Sequence, residues 1–157
     1  MIRVGVLGAK GKMGQTVVEA VSAANDMEVV AALDLGDSLE MLTSNKCDVV
    51  VDFTTPSAVM DNLAFLIDNG IHAVVGTTGF DDARLQTLRT RLAKNSTVGV
   101  LIAPNFGLGA ILMMEFSKKA AAYFESVEIV EMHHPNKVDA PSRSEEHTSE
   151  LQSHSDL

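Results

Sequence analysis

The stretch that decides the fold is Ile2-Arg3-Val4-Gly5-Val6-Leu7-Gly8-Ala9-Lys10-Gly11-Lys12-Met13-Gly14. Its apolar start predicts a strand, and Met13 to Ala24 continues as a helix with Val17, Val18 and Val21 on one face. Three glycines between them let the turn tighten and let a pyrophosphate approach the backbone at the helix N-terminus. This pattern predicts a dinucleotide-binding turn, although glycine spacing alone also occurs in ordinary strand–helix turns.

Short apolar runs alternate with helical patterns along the rest of the chain. The predicted strands are 2–7, 27–33, 48–52, 72–75, 97–102 and 126–133, and the predicted later helices are 56–69, 81–93 and 107–124. Thr55 is the expected N-cap of the first of these helices, and Gly70 ends it. Alternation with short connections predicts an α/β fold, a Rossmann-type doubly wound parallel sheet.

Four loops follow strands of this sheet and should meet at one edge, where ligands of such folds bind. They are Gly8–Gly14, Phe53–Thr55, Gly76–Phe80 and Ala103–Phe106. The residues predicted to hold the pyrophosphate are Gly8, Ala9, Lys10, Gly11, Lys12 and Met13. The residues predicted to lie beside the nicotinamide are Gly76, Thr77, Thr78, Ala103, Pro104, Asn105 and Phe106. Ordinary turn chemistry is the alternative for the last two loops.

Asp34 ends the second strand, 20 residues after Gly14, and fits the acid that accepts the adenosine ribose hydroxyls. A solvated turn acid is the alternative. No basic residue follows Asp34 directly, whereas Lys10 and Lys12 could reach a 2′-phosphate or could be ordinary surface charges. The predicted cofactor is therefore NADH or NADPH, with NADH preferred.

The segment Glu131-Met132-His133-His134-Pro135-Asn136-Lys137-Val138-Asp139-Ala140-Pro141-Ser142 brings two imidazoles and an ammonium group close together. Neighbouring residues of a strand point to opposite faces, so His133 and His134 cannot easily share a metal ion, and no metal site is predicted. One histidine is expected to transfer a proton and the other to touch substrate, while Lys137 supplies a positive charge or a proton. A polar strand end in solvent is the alternative.

Composition limits the class of protein. The 157 residues are 46% hydrophobic and carry a net charge of −9, which argues against nucleic-acid binding. No apolar run has the length of a membrane span, no signal-peptide pattern is present, and Cys47 has no cysteine partner for a disulfide. A buried Cys47 and a cytoplasmic protein are expected.

Together these residues resemble the 4-hydroxy-tetrahydrodipicolinate reductase (dihydrodipicolinate reductase) family. The resemblance runs from Met1 to Ser142 and rests on Gly8–Gly14, Val75–Phe80, Ala103–Phe106 and Glu131–Ser142. It implies NAD(P)H-dependent reduction of a cyclic imine dicarboxylate to tetrahydrodipicolinate, in lysine and diaminopimelate biosynthesis. It also implies that His133 and Lys137 serve the protonation step, and that His134, with Lys137, contacts this small-molecule dicarboxylate substrate.

The resemblance further implies domains at 1–106 for the dinucleotide and at 107–142 for the start of an α+β substrate domain. The family motif continues from Pro-Ser into Gly-Thr, whereas Pro141-Ser142 is followed here by Arg143-Ser144. Residues 143–157 have few apolar side chains, are expected to be disordered, and resemble translated sequencing-adapter sequence rather than native protein. A chain truncated after Ser142 is expected to be inactive, and the homotetramer of the intact family becomes doubtful.

Two other functions are compatible with parts of the sequence. A nucleotide-binding module without catalytic activity fits a chain with a cofactor turn and half a substrate site. A semialdehyde dehydrogenase would need a cysteine nucleophile in the cleft, and Cys47 at the start of a strand is poorly placed for that role.

Overall fold

The computed structural model describes residues 1–103 and 105–128. Its strands are β1 (Ile2–Leu7), β2 (Met27–Leu33), β3 (Val49–Asp52), β4 (His72–Val75) and β5 (Val100–Ile102). Its helices are α1 (Lys12–Ala23), α2 (Glu40–Ser44), α3 (Val59–Asp68), α4 (Asp82–Leu92) and α5 (Leu108–Ala121). The chain divides into two compact units, Met1–Ala103 and Pro104–Leu157.

The first unit is a five-stranded parallel sheet in the order β2-β1-β3-β4-β5. The predicted doubly wound α/β fold is therefore confirmed. The chain order reverses between β1 and β3, which makes this pair the topological switch point of the sheet, and ligands of open α/β sheets bind outside the strand ends at that point.

Two apolar clusters cover the two faces of the sheet. Val50 of β3 belongs to the larger cluster, which takes in the buried stripe of α3 (Val59, Leu63, Leu66, Ile67). Its neighbours Val49 and Val51 pack instead in the cluster around Val21 of α1. Because successive side chains of a strand point to opposite faces, this near-continuous apolar strand is buried from both sides, as predicted.

Two predictions about helices require correction. The helix expected from Pro56 begins at Val59, and its N-cap is Ala58 rather than Thr55. The Thr55 carbonyl accepts hydrogen bonds from the N–H groups of Ala58 and Val59, while the Thr55 hydroxyl bonds Ser57 instead of the helix backbone. The short helix α2 was missed, since five residues are too few to display a helical period.

Other boundaries moved by a few residues. β5 starts at Val100 instead of residue 97, because the Val98 N–H bonds the Asn95 carbonyl in a turn. In the second unit, α5 runs from Leu108 to Ala121, within the predicted range. Residues 126–128 are described and are not in a strand, and the remainder of the strand predicted over 126–133 lies outside the described residues.

Candidate dinucleotide-binding site

The glycine turn between β1 and α1 is packed so closely that two of its positions admit no side chain. Gly8 has φ of 76°, and a Cβ there would lie 2.9 Å from the Phe53 carbonyl carbon. At Gly14 a Cβ would lie 2.7 Å from the Gly8 carbonyl carbon and 2.8 Å from the Ala9 Cα. Side chains are thus excluded at both positions by backbone, which cannot give way.

The N-terminus of α1 follows directly from this turn. Gly11 is the N-cap, no side chain caps the helix, and no acidic residue stands in the first turn. The first N–H groups of an α-helix have no partner within it, and they carry a partial positive charge. Lys10, Lys12 and Met13 are exposed around this helix end. The arrangement suits an anionic group such as a pyrophosphate.

Asp34 connects the end of β2 to the glycine turn. Its carboxylate accepts hydrogen bonds of 2.8 Å from the backbone N–H groups of Lys10 and Leu35. These two bonds, Leu35 first, hold the pKa of the Asp34 carboxyl below its ordinary value, and the Lys10 charge adds to the effect. An ionised carboxylate offers about four acceptor positions, so two remain for hydroxyl groups of a ligand.

The ends of β1, β2 and β3 enclose a cleft of about 470 Å³, here called the switch-point cleft. Its lining is Leu7, Gly8, Gly11, Leu33, Asp34, Leu35, Gly36, Asp37, Leu39, Phe53, Thr54, Thr55, Ala58 and Asn62. It therefore brings together Gly8, Gly11 and Asp34, which the sequence predicted to hold the pyrophosphate and the adenosine ribose. Ala9 and Lys10 of the glycine turn, and Lys12 and Met13 at the start of α1, are not among the residues that line this cleft.

A buried acid that sequence reasoning missed lies behind this cleft. Asp52, the last residue of β3, is fully buried. Its Oδ1 accepts hydrogen bonds from the Thr54 N–H (2.9 Å) and from the hydroxyls of Thr54 (2.7 Å) and Thr77 (2.8 Å). Its Oδ2 accepts one from the Asn62 amide at 2.8 Å. An acid closing the apolar run Val49-Val50-Val51 was the available sequence signal.

The loop after β4 is fitted tightly against the loop after β3. A Cβ at Gly76 would overlap the Phe53 ring, and one at Gly79, where φ is 93°, would lie 2.7 Å from the Pro56 Cβ. Arg84 donates to the carbonyls of Pro56 (2.9 Å) and Gly79 (2.8 Å), which joins the two loops.

The two threonines predicted beside the nicotinamide differ in their surroundings. Thr77 is buried with its hydroxyl on Asp52, so that side chain is engaged inside the protein, while Thr78 is half-buried. The predicted residues of the next loop divide between the two units. Ala103 ends the first unit, and its N–H bonds the Val75 carbonyl at 3.0 Å.

In the second unit, the Asn105 side chain accepts a 2.7 Å hydrogen bond from the Gly107 N–H, and Phe106 is half exposed. Pro104, His133, His134 and Lys137 lie outside the described residues, as does the predicted tail 143–157.

Cys47 is buried, as predicted, and burial raises the pKa of its thiol, with the Arg3 charge opposing and the Asp48 charge adding to the rise. Over residues 1–103 and 105–128, no three His, Cys, Asp or Glu side chains are grouped to hold a metal ion. Over the same residues, no helix has both the length and the apolar character needed to cross a bilayer.

A parallel sheet with a glycine turn at its switch point and an acid at the end of the second strand defines a nucleotide-binding domain of the Rossmann type. The particular family follows from comparison. The family profile described as dihydrodipicolinate reductase, N-terminus, matches residues 2–106, and the profile for the C-terminus matches residues 109–152. The chain belongs to the dihydrodipicolinate reductase family.

Similar proteins agree with this assignment. The 4-hydroxy-tetrahydrodipicolinate reductase of Nocardia farcinica is 59% identical over 150 residues, which are 96% of this chain and 60% of the relative. The enzyme of that name from Corynebacterium efficiens is 58% identical over 149 residues, 95% of this chain and 60% of the relative. The chain thus spans about 60% of the length of these curated relatives.

Solved structures show the same fold. A dipicolinate-bound dihydrodipicolinate reductase from Paenisporosarcina sp. TG-14 superposes with a TM-score of 0.78 at 40% identity, covering 96% of this chain and 65% of that one. An NAD-binding protein from Listeria innocua superposes with a TM-score of 0.60 at 18% identity, covering 75% of this chain and 40% of that one. The second likeness concerns the fold alone.

Proposed function

We propose that this chain carries the NAD(P)H-binding part of a reductase that converts 4-hydroxy-tetrahydrodipicolinate (dihydrodipicolinate) to tetrahydrodipicolinate in lysine and diaminopimelate biosynthesis. The observation that carries the proposal is the switch-point cleft, which is lined by Gly8 and Gly11 and by the ionised carboxylate of Asp34. Family membership and the names of the similar proteins support the reaction.

The cofactor roles follow from the charges and shapes around the cleft. Gly8, Ala9, Gly11 and Met13 would offer backbone to the pyrophosphate, and Asp34 would accept the ribose hydroxyls. The exposed Lys10 and Lys12 would attract a 2′-phosphate when one is present, so both NADH and NADPH are expected to bind. The loops Gly76–Thr78 and Ala103–Phe106 would place the nicotinamide.

Substrate chemistry would fall to residues later in the chain. When bound, a reduced nicotinamide would supply a hydride to the carbon–carbon double bond conjugated with the imine, which forms as the 4-hydroxyl group of the substrate leaves as water. In this proposal His133 and Lys137 deliver the proton that completes the reduction, and His134 and Lys137 hold a substrate carboxylate, as the family resemblance implies. Imidazole and ammonium groups have the donors and positive charge that these tasks require.

The first experiment titrates the 157-residue chain with NADH and with NADPH, following cofactor fluorescence. Both cofactors are expected to bind, NADH the more tightly, with little or no reductase turnover, because the chain spans about 60% of its relatives' length. Failure to bind either cofactor would remove the basis of the proposal. Turnover at the level of a full-length relative would show that the remaining length is dispensable.

The second experiment restores that length. Residues 1–142 are joined to the corresponding remainder of the Nocardia farcinica relative, and reductase activity is measured. His133→Ala in this chimera is expected to lower kcat by about 10²–10⁴-fold with much less change in NADH affinity, as for loss of a general acid. Equal losses in kcat and affinity would make His133 a structural residue. A folded chimera that binds NADH without turnover would favour the nucleotide-binding module.

The partners of the protein are proposed from the same relationship. The expected partner is a small-molecule dicarboxylate rather than nucleic acid, and a homotetramer is expected of a full-length member of the family. A cytoplasmic location remains a prediction of the sequence. Light scattering of the chimera and of the 157-residue chain would compare their assembly states.

A further inference from the structure

We propose that Asp52 is a positioning residue for the nicotinamide end of the site, acting through the loops after β3 and β4 without contacting the cofactor. This inference rests on the proposed function, since it assumes that a nicotinamide cofactor binds along the strand ends. Asp52 is fully buried and does not line the cleft, so its role would be to hold the loops that contact the cofactor.

The position of Asp52 makes it the meeting point of three segments. It ends β3, and its carboxyl bonds Thr54 in the following loop, Thr77 in the loop after β4, and Asn62 in α3. The Asn62 amide also reaches the Thr54 hydroxyl at 3.3 Å. A buried polar network with every member satisfied favours one arrangement of the segments it joins.

This network fixes Phe53, whose ring lies between the loop after β3 and the loop after β4. The bond from the Thr54 N–H to Oδ1 closes a side-chain turn around Phe53, whose own N–H bonds the Leu7 carbonyl at 3.0 Å. Phe53 lines the switch-point cleft, and its ring occupies the space where a Cβ of Gly76 would be. A shift of Phe53 would therefore move against Gly76, at the start of the predicted nicotinamide loop.

Thr77 supplies the second constraint on that loop. The Thr77 hydroxyl donates to Asp52 Oδ1 at 2.8 Å, and the residue is only 5% exposed. The Gly76 N–H donates to the Asp52 carbonyl at 2.8 Å. The backbone and side chain of one residue thus hold two consecutive residues of the loop. The adenosine end is held separately, through Asp34 and the backbone of Lys10 and Leu35.

This separation gives the test, which uses the 157-residue chain with NADH and ADP-ribose as probes. ADP-ribose contains the pyrophosphate and the adenosine end but no nicotinamide. Asp52→Asn replaces one acceptor oxygen by an NH₂ donor, although the neighbouring groups of Thr54, Asn62 and Thr77 all donate to this side chain. It is expected to weaken NADH binding roughly fivefold or more, the equivalent of one hydrogen bond, and to weaken ADP-ribose binding by a clearly smaller factor, because Phe53, Thr54 and Asn62 also line the switch-point cleft.

Two further variants separate positioning from folding. Asp48→Asn makes the same substitution at the exposed residue just before β3 and is expected to change neither affinity. Asp52→Asn combined with Asn62→Asp reverses the donor and acceptor of the 2.8 Å bond and is expected to restore NADH affinity to within about twofold. Thr77→Val, which keeps side-chain size and removes the hydroxyl, is expected to weaken NADH selectively.

Each outcome decides a different question. If the unsubstituted chain binds NADH no more tightly than ADP-ribose, the proposed function fails before Asp52 is tested. If NADH binds and Asp52→Asn leaves both affinities unchanged, or lowers both equally, the positioning role is wrong. If Asp52→Asn does not fold, the reversed pair and Thr77→Val decide, and wild-type NADH affinity in Thr77→Val would overturn the inference.

Discussion

Gly14 in α1 and Gly109 in α5 are both helical glycines, yet their surroundings are opposite. A Cβ at Gly14 would meet the backbone of Gly8 and Ala9, whereas one at Gly109 would meet nothing within 4 Å. Alanine is a better helix former than glycine by about 1 kcal/mol. Helix propensity alone therefore predicts that Gly14→Ala and Gly109→Ala stabilise the fold equally. The difference between the two substitutions therefore reports the contact of α1 with the glycine turn.

Gly14→Ala is expected to lower the free energy of unfolding by about 1–3 kcal/mol, because the added methyl group forces backbone apart, and to weaken ADP-ribose binding. Gly109→Ala is the matched control and is expected to be neutral or stabilising. Urea unfolding followed by circular dichroism measures both. An equal effect of the two substitutions would contradict the close packing described at Gly14.

Asp34 is expected to give cofactor binding without pH dependence near neutrality. Its folded-state pKa is lowered by the N–H groups of Leu35 and Lys10, so the group is ionised throughout about pH 5–8. The stability it contributes is present above its unfolded pKa and is lost only as the pH falls through the lowered folded value.

Asp34→Asn removes that charge and is expected to weaken ADP-ribose binding about tenfold. Calorimetric titration of both forms at several pH values measures the effect, with Asp48→Asn as the control for loss of an exposed acid. A steep change of wild-type affinity between about pH 6 and 8 would point to a titrating group other than this carboxylate.

Cys47 is expected to be chemically inert in the folded chain. The thiolate is the reactive form of cysteine, and burial both raises the pKa of this thiol and limits access to it, with 8% of the residue exposed. Alkylation by iodoacetamide, followed by mass spectrometry, should be slow in buffer and rapid in urea. Rapid labelling of the folded chain would reopen a nucleophilic role for Cys47.

At the scale of elements, two of the three arginines of α4, Arg84 and Arg91, have different tasks. Arg84 joins the carbonyls of Pro56 and Gly79, in two different loops, while Arg91 forms an exposed two-point ion pair with Asp68 of α3. Arg84→Met is expected to weaken NADH binding, because the loop after β4 loses its tie to the loop after β3.

Arg91→Met is the matched control on the same helix. Exposed ion pairs contribute about 0–1 kcal/mol, so it should change stability by no more than that and should leave NADH affinity unchanged. NADH titrations and urea unfolding of both variants provide the comparison. If the two substitutions affected NADH equally, the bridge between the loops would be irrelevant to binding.

The elements that sequence predicted best are those with a long apolar period. α3 was expected to bury Val59, Leu63, Leu66 and Ile67, and all four are fully buried. The start of α3 was placed too early because Thr55-Pro56 has the chemistry of a helix start, yet the chain makes a turn there before Val59. Pro56 lies in that turn, close enough to Gly79 that a Cβ on Gly79 would be 2.7 Å from the Pro56 Cβ.

The residues of the candidate site could be predicted from sequence where they form local motifs, but not where they meet through contacts between residues far apart in the chain. Gly8, Gly11 and Asp34 follow from a turn and a strand end, and they line one cleft. The network of Asp52 joins residues that are 10 and 25 positions away, Asn62 and Thr77, and no spacing rule connects them. Only the folded sheet brings them together.

At the scale of the whole molecule, the five strands and two apolar clusters of the described residues lie within Met1–Ala103. A unit with its own core is expected to fold by itself. A chain of residues 1–106 should therefore unfold in one cooperative transition and bind ADP-ribose as tightly as the 157-residue chain does. Thermal unfolding and calorimetric titration measure this, and loss of either property would show that the described sheet needs the rest of the chain.

Among residues 1–103 and 105–128, the two anchors at the strand ends, Asp34 and Asp52, share no hydrogen-bond partner. Asp34 is engaged with residues 10, 35 and 37, and Asp52 with residues 54, 62, 77 and the backbone of 76. Under the proposed roles, protein engineers could exchange the preference for a phosphorylated or unphosphorylated adenosine at Asp34 while leaving the nicotinamide loops intact. Evolution would have the same freedom, because substitutions around Asp34 would leave the hydrogen bonds of Asp52 unchanged.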